Sequence, residues 1–159
     1  MDSIQKYPGK PKRLEKIFSC YDPPLYFVTC CSWNKSKILS SAPVHVAFQE
    51  YAVKNQDKGI VVGRYVIMPD HMHLFIRGHK ELSLSVYIRL MKQYITKRLG
   101  RGVGADPVWQ PGFFDHILRN TESYFEKWNY VRHNPVRAGL VAEPDLWPFQ
   151  GEMVRIDRI

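Results

Sequence analysis

Tyr65-Val66-Ile67-Met68-Pro69-Asp70-His71-Met72-His73-Leu74-Phe75-Ile76-Arg77 is the stretch whose reading decides the fold. A β-branched and aromatic run enters Pro69-Asp70, and a second alternating run leaves it. Proline fixes its own φ and aspartate bonds nearby backbone, so the dipeptide makes a tight turn between two strands of a hairpin. Side chains alternate faces along a strand. Met72, Leu74 and Ile76 therefore share an apolar face, while His71, His73, Phe75 and Arg77 share the other. Two neutral imidazoles side by side on a rigid strand are half of a divalent metal site. Two polar residues on a half-solvated sheet face is the plainer reading, and the default one for an isolated His-x-His.

Working outward, residues 25–32 (Leu-Tyr-Phe-Val-Thr-Cys-Cys-Ser) read as a strand. Val44, Ala47, Phe48, Tyr51 and Ala52 form the stripe of an amphipathic helix, with Ser41 as N-cap, Pro43 in the first turn and an end near Asn55. Residues 60–68 are the strand before the Pro69-Asp70 turn. Residues 83–99 give the strongest helix, with Leu84, Tyr87, Ile88, Met91, Tyr94, Ile95 and Leu99 on one face and Gly100 as its stop. Residues 113–119 read as a further strand. Asn120-Thr121-Glu122 opens a last helix that runs to Asn134, where Pro135 ends or kinks it. The order spells an α+β, ferredoxin-like βαββαβ chain: an antiparallel sheet, two helices on one face, and an extra C-terminal helix. RNA-recognition modules share that layout, so fold alone does not settle function.

Residues 1–24 read as a basic arm, with Lys6, Lys10, Lys12, Arg13 and Lys16, and residues 142–159 as an apolar, proline-punctuated tail packed on the domain. The chain has 159 residues, enough for one core that buries roughly two-thirds of the unfolded surface. Lys and Arg total 23 against 15 Asp and Glu, a net +8 that points towards a polyanion, nucleic acid first. Cys20, Cys30 and Cys31 lack a paired spacing and imply no disulfide framework. With no apolar run near a membrane span and no signal-like N-terminus, the expected location is the cytoplasm.

On the last helix Tyr124, Trp128, Val131 and, more loosely, Phe125 make the packing face. Tyr130 and Asn134, four apart, sit on a separate stripe. If this helix crosses the free sheet face, Asn134 can lend an amide oxygen beside His71 and His73, with Tyr130 one turn away. Two imidazoles and an amide suit Mg²⁺ or Mn²⁺ when water and a phosphate oxygen complete the shell. Tyr130 would then be the nucleophile on a phosphodiester. Alternatively, Tyr130 is a boundary residue and Asn134 only the turn-former before Pro135.

These residues resemble a known family, the single-tyrosine HUH transposases, and within it the REP-associated tyrosine transposases. The resemblance rests on residues 66–74 (Val-Ile-Met-Pro-Asp-His-Met-His-Leu), on Trp109-Gln110-Pro111 with residues 114–119, and on residues 130–141 (Tyr-Val-Arg-His-Asn-Pro-Val-Arg-Ala-Gly-Leu-Val). It implies a catalytic domain over residues 25–141. It also implies cleavage and rejoining of single-stranded DNA hairpins through a 5′-phosphotyrosine, with His71, His73 and Asn134 as ligands of Mg²⁺ or Mn²⁺. The chain would act as a monomer or homodimer.

Arg89, Lys92 and Lys97 make a basic helix face that can track a DNA backbone or simply be solvated, Trp109 and Phe113 can stack on unpaired bases or pack in the core or a loop, and His133 can lie near DNA. Asp70 reads as turn chemistry, Tyr94 as a rival nucleophile expected in the core, and His45 and His79 as surface residues. Three other functions stand beside this one: a non-catalytic nucleic-acid binder, needing aromatics such as Phe75 on the open face, an HUH replication initiator or relaxase, and a metal-dependent hydrolase that uses water and does without Tyr130.

Overall fold

The computed structural model describes residues 24–78, 81, 83–102 and 104–156, and the backbone of Lys6–Tyr7. Most of the basic arm, Cys20 and His79 lie outside the described residues. In chain order the elements are β1 (Lys6–Tyr7), β2 (Leu25–Cys31), α1 (Ala42–Gln56), β3 (Val61–Ile67), β4 (His71–Arg77), α2 (Leu84–Leu99), β5 (Phe113–Leu118), α3 (Thr121–Arg132), α4 (Asn134–Arg137) and β6 (Gln150–Glu152). The sheet runs β1-β5-β2-β4-β3-β6, every pairing antiparallel. Its four central strands have the ferredoxin-like order, with the short β1 and β6 added at the two edges.

The β3–β4 turn is pinned from outside the hairpin. Leu39 donates its backbone N–H to the Pro69 carbonyl (2.9 Å), and Ser32 donates both backbone N–H and hydroxyl to the Asp70 carbonyl. Tyr26, Val28 and Cys30 of β2 and Met72, Leu74 and Ile76 of β4 face α1 and α2 in the larger core. Strand β3 departs from simple alternation. A bulge between Val62 and Tyr65 shifts the register, so both residues, three apart, face the same core. It turns Arg64 to the other side, its guanidinium 5.1 Å from the Trp128 ring and paired with Glu152 at 2.8 Å. Helix α2 ends at Gly100, whose φ of 61° is the left-handed conformation that stops a helix without a Cβ penalty.

The second sheet face is not bare. Leu25, Phe27, Val66 and Phe75 form a second core with Tyr124 and Val131 of α3 and with Trp147 of the C-terminal stretch. Phe75, expected on an open face, is fully buried, its ring 4.9 Å from Tyr124 and 6.2 Å from Trp128. Edge-to-face aromatic pairs of this kind add about 0.5–1.5 kcal/mol each beyond burial. Trp147 donates its indole N–H to the Ile67 carbonyl (2.9 Å), and β6 pairs with β3. The layers are therefore helix, sheet and helix, with α3 across the face that carries the histidines. This removes Phe75 as a base-stacking platform and with it the feature that a non-catalytic sheet-face binder needs.

The last helix also differs from its expected course. It stops at Arg132, His133 forms a turn, and Asn134 begins the separate short helix α4 with Pro135 in its first turn. Proline has no N–H to continue the α3 ladder but fits the start of a new helix. Tyr94 is only partly buried, and its hydroxyl donates to Glu50 (2.8 Å) at the α1–α2 surface, on the layer away from the histidines. Rather than a free surface residue, His45 bonds the Tyr65 hydroxyl at 2.7 Å, and burial lowers its pKa.

Candidate active site

The β-ladder aligns His73 of β4 with Thr29 of β2, and His71 with Cys31. Side by side on the strand, the two imidazoles have centroids 4.8 Å apart. Each Nδ1 is engaged from behind. His71 Nδ1 lies 2.7 Å from Asp70 Oδ1, and because an ionised carboxylate only accepts, the ring is the donor and Nε2 keeps its lone pair. His73 Nδ1 lies 2.8 Å from Thr29 Oγ1, and when Thr29 accepts, Nε2 of this ring is free as well. His73 is 5% exposed and stacks on Phe27 at 5.1 Å.

Burial is the main reason the His73 pKa falls well below the ordinary 6.5, with the charges of His71, Lys127 and Arg137 adding to it. The ring is therefore neutral at physiological pH, as a ligand must be. The unfolded chain takes up this proton near 6.5 and the folded chain does not, so stability is lost as pH falls below that value.

Helix α3 runs beside the histidine pair, since its Lys127 approaches the Phe27 ring on which His73 stacks. Tyr130 is 46% exposed, outside the second core. Arg137 joins it to Asn134. The guanidinium sits 3.9 Å from the Tyr130 ring centroid, and Nη2 donates to the Tyr130 carbonyl (2.7 Å) and to Asn134 Oδ1. The break at His133 thus does not separate tyrosine from amide, because Arg137 reaches back seven residues to hold them together. Lys127 lies 5.2 Å from the Phe27 ring, beside the His73 stack.

This donor set fits a hard divalent cation bound openly. Two neutral imidazole Nε2 atoms and one amide oxygen leave positions for water or phosphate oxygens. Among the described residues no three or more His, Cys, Asp or Glu side chains gather as a metal cluster, so a third protein donor beside His71 and His73 would be of another kind, such as the amide of Asn134. Asp70 is more than turn chemistry. Asp70→Ala leaves the turn, which is pinned through backbone carbonyls, but removes the acceptor that orients His71. Mn²⁺ affinity, read by electron paramagnetic resonance titration, falls about 10–100-fold. Unchanged affinity would return Asp70 to a turn residue.

The other sequence candidates fall into two places. Arg89, Lys92, Lys97 and Trp109 come together around one groove of about 550 Å³ between α2 and the loop before β5. Of the two readings open for Trp109, stacking on a base or packing, the structure shows packing. Trp109 is 9% exposed, and its indole N–H reaches the Lys92 carbonyl and Thr96 Oγ1, both at 3.2 Å. Lys92 is half-buried, donating to the Gln110 and Gly112 carbonyls, and burial lowers its pKa. Arg89 and Lys97 are exposed on the rim. The groove lies on the helix layer opposite α3, yet at the His71 end of the sheet, since Gln110 donates its N–H to the Cys31 carbonyl. His133 bonds the Asn129 carbonyl through Nδ1 (2.7 Å), closing the end of α3.

Comparison with known proteins gives this arrangement a family. The sequence profile described as "Transposase IS200 like" matches residues 24–133, which include His71, His73 and Tyr130. The chain belongs to the IS200-like transposase family. It is 30% identical over 95 residues to the REP-associated tyrosine transposase of Escherichia coli K12, a match over 59% of this chain and 55% of that relative's length. In fold it resembles a solved REP-associated tyrosine transposase bound to a REP hairpin, with TM-score 0.68 and 22% identity over 86% of this chain and 91% of that one. A second solved structure, from Deinococcus radiodurans, matches with TM-score 0.52 and 12% identity over 72% of this transposase and 93% of that chain. Among the described residues no helix is long and apolar enough to cross a membrane.

Proposed function

We propose that this chain cleaves and rejoins single-stranded DNA at hairpin sites, as a REP-associated tyrosine transposase with Tyr130 as nucleophile. The observation that carries the reading is the oriented pair His71 and His73 on the sheet face that α3 covers, with Tyr130 and Asn134 held together by Arg137 at the end of that helix. Family membership and the hairpin-bound structural relative support the substrate class.

The chemistry follows from the residues. The Tyr130 hydroxyl oxygen attacks the scissile phosphorus and gives up its proton. The bond from phosphorus to the 3′ oxygen breaks, and that oxygen leaves as a 3′-OH after taking a proton. The product is a 5′-phosphotyrosine, which a 3′-OH from another strand reverses to rejoin DNA. His71, His73 and Asn134 would hold Mg²⁺ or Mn²⁺, which supplies Lewis-acid stabilisation of charge on the phosphate oxygens when bound. Tyr130 lies on the helix that packs against the sheet of its own chain, which supports action in cis by a monomer. Exchange of the tyrosine between two chains of a homodimer is the alternative, and a mixture of His71→Ala and Tyr130→Phe proteins would then recover activity.

The test is incubation with Mn²⁺ and a single-stranded oligonucleotide carrying a REP-type hairpin. A denaturation-resistant adduct on the 5′-phosphate side, with release of a free 3′-OH fragment, is the expected product. Cleavage to two free fragments with no adduct would instead indicate a water-using hydrolase.

Arg89, Lys92 and Lys97 on the groove are proposed to hold the DNA backbone as it rounds the His71 end of the sheet. For the pair Arg89→Glu and Lys97→Glu, hairpin binding weakens across sequences, and the slope of log affinity against log salt becomes shallower by about 1–2. Fluorescence anisotropy at several salt concentrations reads it. An unchanged slope would mean that this face is only solvated.

A further inference from the structure

Two cations stand among the candidate ligands, Lys127 at 5.2 Å from the Phe27 ring that stacks on His73 and Arg137 over the Tyr130 ring, which a site built for a bare metal ion would avoid. Their positive charge opposes a divalent cation arriving alone. Arg137 also donates to Asn134 Oδ1, the oxygen the metal would need, while its plane covers the Tyr130 ring. A guanidinium fork matches two phosphate oxygens better than it matches one amide and one backbone carbonyl.

Resting on the reading of Tyr130 and its neighbours given above, we propose that Lys127 and Arg137 form a phosphodiester subsite beside His73. In the DNA-free protein Arg137 occupies Asn134, and an arriving phosphodiester draws the guanidinium away and frees the amide oxygen for the metal. Phosphate and metal then bind synergistically, and Arg137 is the positioning residue that links them.

The subsite can be tested without catalysis. In EDTA, anisotropy measures binding of a hairpin oligonucleotide and of copies in which one phosphate at a time is a neutral methylphosphonate. Neutralising the phosphate at the subsite weakens wild-type binding about 10-fold, and Arg137→Ala weakens binding to the unmodified oligonucleotide by a similar factor. The Arg137→Ala protein is then insensitive to that same methylphosphonate, while Arg137→Lys retains part of the effect. In DNA-free protein, Arg137→Ala binds Mn²⁺ several-fold more tightly than wild type, and the gain that wild type shows on adding oligonucleotide shrinks. A residue that merely braced the fold would move neither quantity in this direction, and its loss would show in thermal unfolding. The proposal is overturned if Arg137→Ala keeps the wild-type response to every methylphosphonate, or if its DNA-free Mn²⁺ affinity is unchanged or weaker. Loss of the phosphotyrosine reading would show separately, as an intact phosphate cycle in a wild-type protein that forms no adduct.

Discussion

Tyr130→Phe protein forms no covalent adduct with a hairpin oligonucleotide, while hairpin binding and Mn²⁺ binding stay within about twofold of wild type. The ring remains, so its stacking under Arg137 remains, and only the oxygen that bonds to phosphorus is gone. Removing a nucleophile costs on the order of 10³-fold or more, because no neighbouring group replaces it. Tyr94 is no substitute, since its hydroxyl is engaged with Glu50 on the opposite layer. Denaturing gel electrophoresis of labelled oligonucleotide checks the result. Persistent adduct in the variant would remove Tyr130 from the reaction.

The second large effect belongs to the histidines. Replacing His71 and His73 together by Ala removes two of the three protein donors, and Asn134 alone does not hold Mg²⁺ or Mn²⁺ against water. Mn²⁺ binding and adduct formation are both lost, whereas hairpin binding in EDTA persists, because the basic groove and Arg137 are untouched. Loss of a buried ring that stacks on Phe27 also lowers stability, so the single His71→Ala variant is the companion measurement. His71 is more exposed, and its removal alone breaks the pair. Retained Mn²⁺ affinity in both variants would place the metal elsewhere.

Local pattern carried much of this arrangement. The alternation around Pro69-Asp70 put His71 and His73 on one face and Met72, Leu74 and Ile76 on the other, and the ladder keeps that division. Helix and strand order was enough for the ferredoxin-like sheet. What was not legible depended on long-range register. Thr29 meets His73 across 44 positions of sequence, and nothing in Thr-Cys-Cys announces a partner for an imidazole. The bulge at Gly63 and Arg64 broke the alternation of β3 by one residue, so Arg64 reached α3 instead of the side a period of two assigns it. The sequence puts a kink or an end of the helix at Asn134 before Pro135, but the break comes before Asn134, since the residue at the start of the new turn must already leave the old ladder. Arg137 was overlooked although its signal was present. Tyr130, Asn134 and Arg137 are spaced four and three apart, the rhythm of a continuous helical face. Sequence leaves Trp109 open between base stacking and packing, because a tryptophan between a basic helix and Gln-Pro-Gly looks alike whether its ring is offered or packed, and the structure shows it packed.

The claim on which everything else rests is that one cation joins the β4 histidines to Asn134 beneath Tyr130. The most direct measurement is anomalous diffraction from crystals of the Tyr130→Phe protein grown with Mn²⁺ and a hairpin oligonucleotide. The account predicts one manganese peak about 2.0–2.3 Å from His71 Nε2, His73 Nε2 and Asn134 Oδ1, with a phosphate oxygen completing its shell. Manganese bound away from the two imidazoles, or bound to them while Asn134 still faces Arg137 in the presence of DNA, would contradict it.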